Sequence, residues 1–196
     1  LLVNSGVNRL PPEEHVVDRY LDTLRPFGVK SDGGGLEYHL PASLVSKPNE
    51  RGVYTALVLG ATHKGKQISP EQWSKVVQGT DLQFVLLGGK NEINIAKEIS
   101  KGQNNVENLA GETTLHESAH LLKRSQAVVT GDTGLMHIAA AFDRPIVSIW
   151  GCTSPALQMS PYLPNSKNII LEPLDHPKRP CSKLGNKCKY GKGPTR

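Results

Sequence analysis

Residues 127–150 have the sequence AVVTGDTGLMHIAAAFDRPIVSIW, and this stretch decides the fold. Its two apolar runs, 127–130 and 146–150, predict buried strands, and residues 132–142 between them have a helical pattern. A helix between two fully apolar strands is typical of a parallel sheet, because a parallel connection has to cross one face of the sheet. The stretch therefore predicts a β–α–β unit.

The same alternation of strands and helices extends back to residue 53. Ser69 is a good N-cap and Pro70 suits the first helical position, so one of these helices begins there. Further strands are predicted at 53–59, 84–87 and 106–109, and further helices at 70–77, 91–99 and 114–123, the last with Leu115, Ala119 and Leu122 on one face. The pattern predicts an α/β domain at residues 51–175, a Rossmann-like doubly wound parallel sheet.

Ligands bind to such sheets outside the carboxyl ends of the strands, where the strand order reverses. The loops after the strands are therefore the candidate sites. They cover residues 60–69, 88–91, 110–113, 131–134 and 151–155.

The two ends of the chain do not join this alternation. Residues 13–27 predict an amphipathic helix, and 41–52 a linker, so residues 1–50 are expected to be the trailing end of a preceding domain plus its connection. The residues predicted to face inward on this helix are Val16, Val17, Tyr20, Leu21 and Leu24. Because the first residue is Leu rather than Met, we expect the chain to be a piece of a longer protein.

Composition narrows the functional classes. With 37% hydrophobic and 21% charged residues, the 196-residue chain has the composition of an ordinary globular protein. We expect neither a signal peptide nor a membrane-spanning helix, because the sequence has no basic start followed by an apolar core and no uncharged apolar run of about eighteen residues. The net charge of +5 comes from residues 176–196, which hold seven basic and no acidic residues. A basic tail on a near-neutral body argues against nucleic-acid binding. It is either a solvated terminus or a contact with an anionic membrane surface or acidic glycolipid.

Three cysteines, Cys152, Cys181 and Cys188, are too few and too unevenly spaced for a disulfide framework. The spacing of the last two fits no common zinc finger. We expect reduced thiols in a cytoplasmic protein, with no metal and no cofactor.

The most informative candidate site is residues 131–141, GDTGLMHIAAA. Asp132 is placed as an N-cap, and Thr133 and Gly134 fall in the first turn, where backbone N–H groups lack intrahelical partners. Such a helix start is a natural pyrophosphate site, with Gly134 allowing close approach and His137 donating one turn further along. The alternative is an ordinary capped helix with an incidental histidine.

Residues 132–141 also resemble the signature of glycosyltransferase family 9, the ADP-heptose:lipopolysaccharide heptosyltransferases. The resemblance extends from about His15 to the end of the chain. Five further segments follow in the family's order: GATHKGK at 60–66 with PEQW at 70–73, VLLGG at 85–89 with Glu92, NLAG at 108–111 with TL at 114–115, IWGCTSP at 149–155, and RPCS at 179–182. Two departures are that His63 and Lys64 replace a more usual Pro-Gly, and that Gln67 and Ile68 follow Lys66.

The resemblance implies the C-terminal half of a GT-B glycosyltransferase, which has two Rossmann-like domains with the active site between them. Thr62 and Lys66 would clamp the diphosphate, and Glu92 would meet ribose or base hydroxyls. The full set of implied substrate-binding residues is Thr62, Lys66, Glu92, Thr113, Asp132, Thr133, Gly134 and His137. The alternatives are a solvated loop lysine for Lys66 and a first-turn helix carboxylate for Glu92.

The implied reaction is an inverting, metal-independent transfer of heptose from ADP-heptose to a lipopolysaccharide core acceptor. The general base belongs to an absent N-terminal domain, so the catalytic residues are unknown and this fragment alone is expected to be inactive. The sequence has no Asp-x-Asp motif, the usual metal–diphosphate anchor of the other main glycosyltransferase fold. The expected location is the cytoplasm, with possible contact at the inner face of the inner membrane. The alternatives are a non-catalytic nucleotide-binding α/β module and an α/β domain without a ligand.

Overall fold

A sheet of six parallel strands forms the centre of the computed structural model, which describes residues 14–46, 51–61, 63–162, 167–173 and 179–180. The strands are Thr55–Val58 (β1), Phe84–Leu87 (β2), Val106–Asn108 (β3), Ala127–Gly131 (β4), Ile146–Ile149 (β5) and Asn168–Leu171 (β6). Their order is β3-β2-β1-β4-β5-β6, and every neighbouring pair is parallel. The order reverses between β1 and β4, so the predicted Rossmann-like, doubly wound sheet is confirmed.

Helices cover both faces of this sheet. The α-helices of the described part of the chain are Val16–Asp22 (α1), Ala42–Val45 (α2), Pro70–Gln78 (α3), Ile93–Ser100 (α4), Leu115–Arg124 (α5) and Gly134–Ala141 (α6). Trp73 of α3 and Ile99 of α4 pack with alternate residues of β1 and β2 in one core cluster. Leu122 of α5 and Met136 of α6 pack in the other cluster. β1 and β2 are buried along their whole length because each is covered on both faces.

Capping residues mark the starts of helices α3 and α5. Ser69 caps α3 as predicted, because its hydroxyl accepts from the Gln72 N–H while the Gln72 side chain accepts from the Ser69 N–H. Thr114 and Glu117 form the same reciprocal pair at the start of α5. Each pair satisfies two backbone donors that a helix start leaves open.

The sixth strand, Asn168–Leu171, is absent from the sequence-based prediction, which stops at five. Three of its four residues are exposed, since it forms the edge of the sheet beside β5. The three-residue apolar run at 169–171 does not distinguish a strand from other structures by periodicity. The segment forms a strand in the structure because it pairs with β5.

The prediction that residues 13–27 form one amphipathic helix with a buried apolar face is wrong. Here α1 ends at Asp22 and a 3-10 turn follows at Arg25–Phe27, and neither element has a buried residue. Tyr20 is 71% exposed and Leu24 43% exposed, although both were expected to face inward. The predicted apolar face has no core beneath it among the described residues, and α1 is held by polar contacts to a loop instead.

The predicted linker at 41–52 also has structure in its described part. Helix α2 lies there, and its Leu44 is buried at 8% exposure. Within the described residues, no helix is both long and apolar enough to cross a membrane.

Candidate functional site

A cleft of about 820 Å³ lies at the carboxyl ends of β1, β2 and β4, where the strand order reverses. Its walls come from the loops after β1 and β2, from the start of α6, and from Leu115 and Met159. Adjacent parallel strands end at the same edge, so loops that are far apart in sequence meet there. This is the position at which doubly wound sheets bind their ligands.

An ion pair joins the two central loops at the base of the cleft. The Lys66 ammonium lies 2.7 Å from Asp132 Oδ2, with side chains 18% and 8% exposed. Lys66 ends a 3-10 turn at Lys64–Lys66, and the Gly65 carbonyl in that turn accepts from the Cys152 N–H at 2.8 Å. A Cβ at Gly131 would lie 3.0 Å from the Lys66 carbonyl oxygen, so the close approach of the two loops needs glycine there.

Asp132 is not the N-cap of α6, which corrects the sequence-based prediction. The cap is Thr133, whose Oγ1 accepts from the Met136 N–H at 3.2 Å. Thr133 also lies 3.1 Å from Thr130, Oγ1 to Oγ1. The carboxylate of Asp132 forms an ion pair with Lys66 instead. In a largely buried site, a hydrogen bond to a cation is stronger than one to a neutral N–H group.

The start of α6 faces the cleft with open space in front of it. Gly134 is exposed, lines the cleft, and a Cβ built on it would meet no atom within 4 Å. The first N–H groups of a helix lack intrahelical partners and carry a partial positive charge. This end of the cleft is therefore suited to an anion.

Glu92 spans the gap between the first two loops. It ends the 3-10 turn Lys90–Glu92, and its Oε2 accepts from the Gly89 N–H at 2.8 Å. A Cβ at Gly60 would lie 2.9 Å from Glu92 Cδ, and one at Gly88 would lie 2.8 Å from Glu92 Cβ. Two glycines thus make room for one carboxylate, whose oxygens can accept from ligand hydroxyls.

His137 lines the cleft one turn into α6 and is half-buried. Burial lowers the pKa of its imidazole below the ordinary 6.5; the charge of Asp132 opposes this, while His15 and Lys66 add to it. The ring is therefore neutral at pH 7 and offers one N–H donor and one acceptor.

This lowered pKa predicts a pH dependence of stability. Below pH 6.5 the unfolded chain binds a proton at His137 that the folded chain still excludes, so the free energy of unfolding falls as the pH falls. Well above pH 6.5 the residue is neutral in both states and contributes no slope. We expect His137→Gln to lose less stability than wild type as the pH falls below 6.5, measured as thermal midpoints. Parallel curves for the two proteins would contradict this.

The structure brings six of the eight predicted substrate-binding residues to this cleft. Those that line it are Lys66, Glu92, Asp132, Thr133, Gly134 and His137. Thr113 is not among the lining residues, and its hydroxyl is bonded to Ser118 at 2.8 Å. Thr62 lies outside the described residues. Their roles in binding stay predictions.

The candidate loops predicted from the sequence do not include the lining residues Leu115 and Met159. Leu115 was placed on the inner face of its helix with Ala119 and Leu122, which are fully buried, yet it is 58% exposed. Its position at the start of α5, just beyond the end of β3, was the available signal. No signal in the sequence marks Met159, because a contact between distant segments brings it to the cleft.

No group of three or more His, Cys, Asp or Glu side chains suited to a metal ion occurs among the residues described. The lining instead combines a lysine, two carboxylates, imidazoles and a helix start. Fold and cleft together define a Rossmann-like α/β domain with a candidate ligand site at the switch point.

The chain belongs to glycosyltransferase family 9 (heptosyltransferase), whose sequence model matches residues 1–190. Lipopolysaccharide heptosyltransferase 2 of Salmonella typhimurium is 39% identical over 93 residues, which are 45% of this chain and 26% of that protein.

Two solved structures share the fold. The E. coli heptosyltransferase WaaC with ADP superposes with a TM-score of 0.69 at 23% identity, covering 91% of this chain and 56% of that chain. WaaC with ADP-2-deoxy-2-fluoro heptose gives a TM-score of 0.63 at 23% identity, covering 84% and 51%. The chain thus spans about half the length of these solved relatives.

Proposed function

We propose that this cleft binds ADP-heptose and that the chain is the donor-binding, C-terminal half of a lipopolysaccharide heptosyltransferase of the GT-B type. The observation that carries the proposal is the Lys66–Asp132 pair beside the open start of α6. Support also comes from the relatives, which are named lipopolysaccharide heptosyltransferases, and from the ADP compounds in the solved structures.

The diphosphate fits between Lys66 and the start of α6. A lysine ammonium has three donors, and Asp132 takes one of them, so two remain for phosphate oxygens. The open space at Gly134 lets a phosphate reach the helix N–H groups, which attract anions. This donor set favours a diphosphate over a neutral ligand.

The nucleoside fits at the other end of the cleft. Glu92 can accept from ribose hydroxyls, and the exposed side chain of Leu115 gives an apolar surface for the base. His137, neutral and adjacent to Asp132, lies toward the phosphate and sugar end.

The reaction is a single displacement with inversion at the anomeric carbon. An acceptor hydroxyl of the lipopolysaccharide core loses its proton to a base from the N-terminal half and attacks that carbon as its bond to the diphosphate oxygen breaks. ADP leaves with the negative charge that develops on that oxygen. Lys66 and the α6 N-terminus stabilise this charge, which makes a metal ion unnecessary in the proposed mechanism.

We place this reaction in the cytoplasm, at the inner face of the membrane that holds the acceptor. The seven basic residues among 176–196, which have no acidic neighbours there, support contact with an anionic surface.

The test is a thermal-shift and calorimetric titration of the 196-residue chain with ADP, ADP-heptose, UDP and GDP in EDTA. ADP at a hundred times its Kd should add about 2.7 kcal/mol of stability and raise the midpoint by several degrees. Preference for UDP or GDP would overturn the assignment of the donor. Binding of ADP without transfer when the N-terminal half is supplied would favour a non-catalytic nucleotide-binding module.

A further inference from the structure

Helix α1 is attached to the loop that contributes Met159 to the cleft lining. We define residues 155–162 as the rim loop. The Val16 N–H donates to the Gln158 carbonyl at 2.9 Å, and the Tyr162 hydroxyl donates to Asp18 Oδ1 at 2.9 Å. Gln158 has φ of +58°, in the left-handed region that non-glycine residues avoid. The contact with α1 therefore helps to hold the rim loop in a conformation it would otherwise leave.

His15 makes two hydrogen bonds at the centre of this attachment. Its Nδ1 accepts from the Val17 N–H at 3.2 Å, which caps α1. With Nδ1 as acceptor, the proton of a neutral ring is on Nε2, which donates to the Ser160 carbonyl at 2.8 Å. The Tyr162 ring packs beside it with centroids 4.8 Å apart. One imidazole thus joins the helix to the rim loop.

Met159 connects this attachment to the cleft. It lines the cleft, and both of its chain neighbours, Gln158 and Ser160, are bonded to the α1 segment. Because α1 has no buried residue, its contacts add little to the core. They hold the backbone on both sides of Met159.

We propose that His15 is a positioning residue of the donor site, acting through Met159. The inference rests on the proposed function, since it concerns the affinity of the same cleft for ADP. With His15 bonded, the rim loop is ordered before the ligand arrives. Without that bond the rim loop samples more conformations in the unliganded protein. Binding of ADP then has to restore a single conformation, and the entropy lost in doing so lowers the affinity.

His15→Asn is the sharpest test, because asparagine keeps an oxygen that can cap α1 but is too short to reach the Ser160 carbonyl. We expect the Kd for ADP to rise about five- to tenfold, the effect of one hydrogen bond, with an unliganded thermal midpoint close to wild type. His39→Asn is the matched control, since its side chain is 88% exposed, and should bind ADP like wild type.

A double-mutant cycle separates positioning from a general structural effect. If His15 acts through Met159, the variant with both His15→Asn and Met159→Ala should bind ADP no more weakly than Met159→Ala alone. Additive losses, or wild-type affinity in His15→Asn, would overturn the inference while leaving the proposed function intact. If His15→Asn fails to fold, Tyr162→Phe tests the same attachment, and unchanged affinity there would overturn the inference. Absence of ADP binding by the wild-type chain would overturn both.

Discussion

Lys66→Ala should weaken ADP binding about a hundredfold, because a charge-assisted contact to the diphosphate is lost in a largely buried position. The same change leaves the Asp132 carboxylate, which is 8% exposed, without its cation. Breaking such a pair from one side destabilises the fold by up to about 3 kcal/mol. Calorimetry with ADP and thermal unfolding without it measure the two effects separately.

Two further variants separate binding from stability. Lys64→Ala removes an exposed lysine from the same 3-10 turn and should change neither measurement. Adding Asp132→Asn to Lys66→Ala removes the unpaired charge, so stability should partly return while ADP binding stays weak. If Lys66→Ala binds ADP with wild-type affinity, Lys66 is only a structural partner of Asp132 and the proposed diphosphate site is wrong.

Gly134→Ala should have opposite effects on stability and on binding. The added methyl group meets no atom within 4 Å in the ligand-free protein, and alanine favours helix formation over glycine by up to about 1 kcal/mol. The thermal midpoint should therefore stay constant or rise. The methyl group would, however, stand where a phosphate approaches the first N–H groups of α6, so the Kd for ADP should rise at least about tenfold.

The matched control is Gly34→Ala, a glycine-to-alanine change outside the cleft lining, next to the flexible side chain of Asp32. It should leave the Kd unchanged. Equal ADP affinity in Gly134→Ala and wild type would mean that the diphosphate does not approach the start of α6. A large loss of stability in Gly134→Ala would mean that the glycine is needed for the fold itself.

Much of the candidate site was predictable because parallel strands bring their following loops to one edge. Lys66 follows β1, Glu92 follows β2, and Asp132 follows β4, so the predicted parallel sheet was sufficient to expect them at one edge. Thr113 follows β3 by the same logic, yet it is bonded to Ser118 and lies outside the lining. Position after a strand identifies the edge of the sheet, and side-chain bonding decides which residues reach the ligand site.

The sequence by itself determined the elements whose causes are local. Apolar runs define β1 and β2, and the Ser69–Gln72 capping box starts α3, because hydrophobic patterning and helix capping act over a few neighbouring residues. The tertiary structure decided the rest. It bonded Asp132 to Lys66 instead of the α6 N–H groups, and it attached α1 to the rim loop. These outcomes depend on which distant groups meet when β1 pairs with β4 and when His15 reaches Ser160, and no local pattern encodes such a choice of partner.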